Sequence, residues 1–373
     1  MDTSEKFMHA AIDVPDLARV AEAEGPFLSL YLHTEAAVEN AGAQVQQHWK
    51  TVRRDLVERG VEDGLLEEID EIVPKAHLEG ECLAVIGGVQ QILHVEHGPA
   101  VSPIDEATWG PLPRLLPIVR WRQSEAPYMV VLTDRSGADL FGFRRGAPEL
   151  EATVEGEHDE LRKVGPGGWA QRRFQQRAED SWEHNAKQVA ERVERLLAQI
   201  QPVFVAVAGD VRAVHLLRDS LSRKFDDLIH VIEGERPWEG KGDPIPEMVA
   251  QLVEQHVREA TAGLLERFAE ERGQDDKTVE GVAATARALA RAQVAVLLIA
   301  DESTDDRRLW FGPDPTLLSP IEQDLKELGV DSPVQERAAD VLIRGALGTG
   351  AGIRVVDAGA VKEGVGALLR WSA

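Results

Sequence analysis

The chain has 373 residues, 43% of them hydrophobic, 28% charged and 5% aromatic, with 41 basic against 65 acidic side chains for a net charge of −24. At roughly 100–200 residues per domain this length implies two to four domains, and the composition excludes disordered, collagenous and membrane classes. The acidic balance excludes non-specific coating of nucleic acid, and the single Cys82 excludes an intrachain disulfide or a thiolate zinc cluster.

The apolar runs Val203–Ala208 and Val294–Ala300 are far shorter than the ~18 residues of a spanning helix. Met1-Asp2-Thr3-Ser4-Glu5-Lys6 has no basic segment followed by an apolar one. A cytoplasmic chain without a membrane contact is expected.

In the first segment, residues 1–124, Phe27–Leu32 reads as a strand, and Val38–Arg59 and Leu65–Ile72 read as polar helices. Cys82–Gly87 and Gln91–Val95 read as strands joined at Gly87-Gly88. Pro103, Pro111, Pro113 and Pro117 are expected to break any regular element before a boundary near 122–127.

The second segment, 125–274, opens with Tyr128–Thr133, the turn Asp134-Arg135-Ser136-Gly137 and the strand Ala138–Phe143, a hairpin by turn chemistry. After a loop, Phe174, Ala178, Trp182, Ala186, Val189, Val193, Leu196, Leu197 and Ile200 recur every three or four residues, the spacing of a long amphipathic helix. A buried strand Val203–Ala208, a helix Ala213–Ser222, an extended Ile229–Ile232 and a long helix Pro246–Arg272 follow.

The polar stretch Glu271–Lys277 marks the third segment, 275–373, and predicts that few apolar residues meet across it. That segment reads as helix Val279–Arg291, strand Val294–Ala300, a helix ending near Leu328, helix Gln335–Ala346, strand Ile353–Val356 and a final strand near Val365–Trp371. The expected class is α/β in three domains, the first of them α+β.

The most informative stretch is Lys163-Val164-Gly165-Pro166-Gly167-Gly168-Trp169-Ala170-Gln171-Arg172-Arg173-Phe174. Its glycines permit close backbone approach to a ligand. Leu161–Arg177 carries Arg162, Lys163, Arg172, Arg173 and Arg177 and no acid, whereas Glu149–Glu160 just before it holds six acidic residues. Helix N-termini favour Asp or Glu in the first turn. Arginines there are tolerable if an external anion such as RNA phosphate is bound. The residues expected to touch RNA are Arg162, Lys163, Gly167, Gly168, Trp169, Gln171, Arg172, Arg173 and Arg177, with Trp169 read either as a stacking platform or as a lid on its own domain.

Other patterns are weaker. Gly345–Gly352 has no following Lys-Ser/Thr and reads as a helix C-cap and turn. His94 and His97 lie three apart on a strand and face opposite sides. No metal site, cofactor loop or hydrolase triad is expected.

The order of elements resembles the class-1 peptide release factors of the archaeal and eukaryotic type, with their ribosome-rescue and bacterial relatives. Phe27–Leu32, the hairpin Val130–Phe143, the loop and helix Lys163–Arg177 and the terminal Glu363–Trp371 carry the resemblance, which covers essentially the whole chain. It implies a first domain at the decoding site, a release-factor-like middle domain facing the peptidyl-transferase centre, and an L7Ae-like third domain that engages a translational GTPase such as elongation factor Tu.

Two departures qualify it. In the releasing enzymes a Gln directly follows the two glycines, where Trp169 stands here; Gln171 with Gly167 and Gly168 is the only catalytic candidate. The stop-codon tetrapeptide Asn-Ile-Lys-Ser is absent from the first segment. The resemblance therefore implies a ribosome-binding factor of a bacterial, Balon-like branch that occupies the A site of idle ribosomes without codon-dependent release. The alternative is a peptidyl-tRNA hydrolase acting in ribosome rescue.

Overall fold

A computed structural model describes residues 14–34, 41–76, 81–99, 105–144, 147–155, 168–236, 244–274, 277–301 and 306–372. They group into two compact units, Met1–Gln123 with Glu259–Ala373, and Ser124–Arg258.

The chain begins with α1 (Pro15–Glu22), β1 (Phe27–His33), α2 (Ala41–Glu58), α3 (Asp63–Ala76), β2 (Cys82–Gly87), β3 (Ile92–Gly98), β4 (Glu106–Gly110) and α4 (Leu116–Ser124). The strands form an antiparallel sheet in the order β3-β2-β1-β4. Strand periodicity assigns its two faces. Leu28, Leu30, Leu32, Leu83 and Val85 pack with Val45, Trp49, Leu56, Leu65 and Ile69 of α2 and α3, while Tyr31, Cys82, Ala84 and Ile86 belong to a different cluster. Both faces are covered, so β1 has no polar alternation. The expectation that prolines abolish regular structure here is corrected: α4 places Pro117 in its first turn, where the missing N–H costs nothing, and β4 lies between Pro103 and Pro111.

The second unit contains β5 (Tyr128–Thr133), β6 (Gly137–Arg144), β7 (Ala147–Glu155), α5 (Gly168–Ile200), β8 (Phe204–Gly209), α6 (Val211–Ser220), a 3-10 turn at Arg223–Leu228, β9 (Ile229–Val231) and the start of α7 (Ile245–Gln274). Its sheet runs β7-β6-β5-β8-β9, with β5, β8 and β9 mutually parallel. Met129, Val131, Val205 and Val207 face α5 and α6; Val130, Leu132, Phe204, Ala206 and Ala208 face Ile245 and Val249 of α7. Strand β7 is not among the elements expected from sequence. It is an edge strand in which Glu151, Thr153 and Glu155 are exposed and Ala152 and Val154 turn inward, the charged pattern that protects an edge from further pairing.

The last part holds β10 (Thr278–Glu280), α8 (Val282–Ala290), β11 (Val294–Ala300), β12 (Arg308–Phe311), β13 (Leu318–Ser319), α9 (Glu322–Glu327), β14 (Val334–Arg337), α10 (Ala338–Gly348), β15 (Gly352–Val356) and β16 (Val365–Leu369). Its main sheet is β10-β16-β11-β15, with β11 and β15 parallel, beside a small sheet β13-β12-β14. The expected helices at 279–291 and 335–346 each give up their first residues to a strand, β10 and β14. Gly281, at φ 86°, makes the bend between β10 and α8. Val296, Leu298 and Leu368 pack on Leu264 and Phe268 of α7. Leu297, Ile299, Ala367 and Leu369 face the other way, into the cluster that also contains Tyr31, Ile86, Leu17 and Ile118 of the first segment. The first and third segments thus share one core.

Polar groups sit inside that unit. Arg122 binds Asp16 through both terminal nitrogens (2.8 and 2.6 Å) and Glu96 at 2.7 Å. Burial opposes ionisation of Glu96, but hydrogen bonds from His94 and Arg122 win and hold its pKa below the ordinary value. Asp340, in the first turn of α10, is pushed up to about 7 by burial, against the attraction of Arg337 and Arg114. Its ordinary value is 3.8. Between these two values the folded chain holds a proton that the unfolded chain has lost, so this group's contribution to stability falls as pH rises from about 4 to about 7. Asp340→Asn should flatten that fall and raise the melting temperature at pH 8 relative to the parent, while changing little at pH 4.5; thermal melts across this range check it.

Candidate RNA-contacting site

Helix α5 has 33 residues, about 50 Å at 1.5 Å per residue. Its C-terminal half is anchored through Ala186, Val189, Val193, Leu196, Leu197 and Ile200, all buried against the sheet. The N-terminal end carries the sequence candidates. Arg162, Lys163 and Gly167 lie outside the described residues. Gly168, Trp169, Gln171, Arg172, Arg173 and Arg177 fall on the first three turns of α5, where the backbone is helical throughout.

The second glycine of the Gly-Gly pair is therefore the first helical residue, and Trp169 and Gln171 are helical rather than part of a loop. The first four N–H groups of such a helix have no intrahelical acceptor. No acidic residue occupies the first turn, so the positive end of the helix dipole and the arginines add at the same place. Two helical steps lead from Trp169 to Gln171, which displaces the Gln by about 3 Å along the axis and about 200° around it. Trp169, not Gln171, directly follows the two glycines.

At the lower part of α5 the geometry includes side chains. Strands β5 and β8 end side by side at Thr133 and Gly209. Gly209 has φ 134°, and a Cβ there would stand 1.8 Å from the Thr133 carbonyl oxygen, so only glycine permits this approach. Asp134 closes the hairpin turn, accepting from the backbone N–H groups of Ser136 (2.7 Å) and Gly137 (2.8 Å). Asp210 caps α6, accepting from Arg212 N (3.0 Å) and Ala213 N (3.2 Å), and pairs with Arg135 at 3.1 Å. The guanidinium groups of Arg135 and Arg212 lie 4.8 and 5.2 Å from the centre of the Trp182 ring, and Asn185 Nδ2 donates to the Arg135 carbonyl (3.1 Å). Arg236 binds Asp139 at 2.8 Å and Asp134 at 3.1 Å.

These carboxylates are held ionised. The Arg236 hydrogen bond lowers the pKa of Asp139. For Asp134 and Asp210 burial opposes ionisation, but donors from Ser136 and Gly137, and from Ala213 and Arg135, outweigh it. None titrates near neutrality, so this end of the sheet supplies a rigid, charge-balanced support rather than a proton donor. Sequence reasoning misses the Arg135–Trp182–Arg212 arrangement, because Trp182 fits the helix's apolar period and reads as core. Among the described residues no group of three or more His, Cys, Asp or Glu side chains could hold a metal. His94 instead pairs with Glu96 at 2.7 Å. No helix among them is long and apolar enough to cross a membrane.

Comparison with known proteins places the middle segment. Residues 127–274 match the family described as Bacterial archaeo-eukaryotic release factor family 2. Over 360 residues, 94% of this chain and 95% of the relative, the sequence is 25% identical to the uncharacterized protein Rv2629 of Mycobacterium tuberculosis. Among solved structures, an archaeal translation termination factor, aRF1, aligns over 95% of this chain and 96% of its own at 15% identity with a TM-score of 0.27. Archaeoglobus fulgidus Pelota aligns over 97% and 94% at 13% identity and 0.37. An archaeal Pelota in a ribosome-bound model with ABCE1 aligns over 97% and 96% at 12% identity and 0.40.

Proposed function

We propose, from a middle segment that is release-factor-like of the archaeal and eukaryotic type, that this chain is a ribosome-binding factor acting in the cytoplasm. It occupies the A site of idle ribosomes as a hibernation factor and does not release peptide in response to a codon. Its three segments, 1–124, 125–274 and 275–373, divide the work. The first lies toward the decoding site, the second toward the peptidyl-transferase centre, and the third, L7Ae-like, toward a translational GTPase such as elongation factor Tu.

The observation that carries this reading is the head of α5. A positive helix end, three arginines in the first three turns and a Gly-Gly junction are suited to RNA phosphates, while Trp169 stands where a releasing enzyme needs Gln. Ester hydrolysis requires a positioned water and a donor preorganised for the developing oxyanion, and a Gln that stands two residues beyond Trp169 rather than next to the glycines supports the non-releasing reading.

Purified protein is expected to release little peptide from ribosome-bound peptidyl-tRNA, and Gln171→Ala should change that residual rate less than twofold. Rapid release that Gln171→Ala eliminates would instead support the hydrolase reading, with Gln171, Gly167 and Gly168 as its catalytic group.

A further inference from the structure

We infer that the apolar cavity between α7 and the strands β5 and β6 is a binding site for a small, uncharged, flat-ringed molecule that accepts a hydrogen bond. The cavity lies wholly within the unit Ser124–Arg258 and does not depend on the ribosome-binding reading.

Its volume is about 470 Å³, inside the ~300–1,000 Å³ range of small-molecule sites. One wall is a ridge of α7, in which Ile245, Val249, Val253 and Val257 recur every four residues. The floor is Tyr128 and Val130 of β5 with Phe143 of β6. Strand register sets Phe143, Tyr128 and Phe204 in one row across β6, β5 and β8. Their rings stack, with Tyr128 4.6 Å from Phe143 and 5.4 Å from Phe204 between centres. Phe204 is fully buried, whereas Tyr128 and Phe143 stay half-buried beneath the cavity. The floor is therefore fixed by a sheet rather than by a loop, which gives a site a precise shape.

The polar groups narrow the ligand. Among the described residues Tyr128 makes ring contacts and its hydroxyl makes no hydrogen bond. Burial pushes its pKa above the ordinary 10.0, so the hydroxyl keeps its proton and offers a donor to an acceptor on the ligand. The described lining holds Glu125 and Glu254 and no Lys, Arg or His. A nucleotide or a fatty acid would meet carboxylates there, with no cation in the lining to offset the loss of its hydration. A cation would compete for Glu254 with Arg258, which already pairs with it. An uncharged molecule meets neither obstacle.

The geometry also disfavours a polypeptide. A helix laid along the twelve-residue ridge, about 10 Å wide and about 18 Å long, encloses about 1,400 Å³, three times the cavity. An extended peptide needs a free strand edge, and β6 is paired on both sides, by β5 and β7.

The test titrates the full-length chain with Nile red, an uncharged flat dye whose carbonyl accepts hydrogen bonds and whose emission moves to the blue in apolar surroundings. Binding should saturate at about one dye per chain, and the anionic dye anilinonaphthalene sulfonate should bind at least about tenfold more weakly. Ala250 lines the cavity from an exposed position on α7, and Ala250→Phe, which fills the space, should weaken Nile red at least about tenfold. Tyr128→Phe keeps the ring and removes the donor, and should weaken it about threefold to tenfold. If Ala250→Phe melts earlier than the parent, methyl resonances give a second readout: on saturation of the parent, Val130, Val249 and Val253 should shift.

Absence of saturable binding, unchanged affinity in Ala250→Phe, equal affinity for the anionic dye, or methyl shifts confined to valines outside the cavity would each overturn the site. Unchanged affinity in Tyr128→Phe would overturn the hydrogen bond assigned to it.

Discussion

A chain ending at Asp276 should lose the folded structure of its first 123 residues. The polar stretch at 271–277 predicts a harmless cut, but the interface lies elsewhere. Leu17, Val20, Tyr31, Ile86, Ile118, Val119 and Trp121 are buried in the same cluster as Leu289, Leu297, Val341, Leu342 and Ile353. Each large side chain returned to water costs about 1.5–3 kcal/mol, so uncovering five or six of them matches the whole ~5–15 kcal/mol stability of a domain.

Specific polar interactions go as well. Gln123 exchanges two hydrogen bonds of 2.8 Å with the backbone of Val355. Arg344 Nε donates to the Ala21 carbonyl at 3.2 Å, and Arg120 pairs with Asp301 at 2.7 Å. Residues 124–258 keep their own two clusters on either face of the middle sheet. Hydrogen exchange on the truncated chain should show β1, β2 and α4 unprotected while β5 and β8 stay protected. Native-like protection of β1 and β2 would contradict the shared core.

That case shows where sequence is legible and where it is not. Local signals travel well: Cys82–Gly87, Tyr128–Thr133 and Val294–Ala300 are readable as strands because each is an unbroken apolar run covered on both faces. Strand β7 has the period-two signal in Leu150, Ala152 and Val154, but its glutamates read as an acidic surface. At Thr278–Glu280 and Val334–Arg337 the helical period runs straight into a strand, and only pairing with β16 and β12 decides the outcome. A shared core between segments more than 150 residues apart leaves no mark in either segment, since a residue buried against a distant helix looks the same as one buried locally.

The candidate site divides in the same way. The charge reversal between Glu149–Glu160 and Leu161–Arg177 is visible in the letters alone. The start of α5 at Gly168 is not. Nor is the mounting of Trp182 between the hairpin turn and α6, which depends on β5 and β8 running parallel and ending together.

The largest functional effect is expected at the head of α5. Outside Leu161–Arg177 the chain carries a net charge of −29, against +5 within it, so long-range electrostatics repel the chain from an anionic ribosome everywhere except at such local basic surfaces. Arg172, Arg173 and Arg177 share the end of a helix whose free N–H groups already favour an anion. Reversing all three shifts the charge at that point by six units toward the negative. Each neutralised phosphate contributes its own share of counterion release, and removing three such shares, with repulsion in their place, exceeds what the rest of the surface can hold.

Co-sedimentation with purified ribosomes at about 100 mM salt measures this directly. The native chain should pellet with ribosomes and leave the pellet as salt rises, and the chain with Arg172→Glu, Arg173→Glu and Arg177→Glu should remain in the supernatant with an unchanged melting temperature. A triple variant that pellets as the native chain does would contradict ribosome binding through this helix.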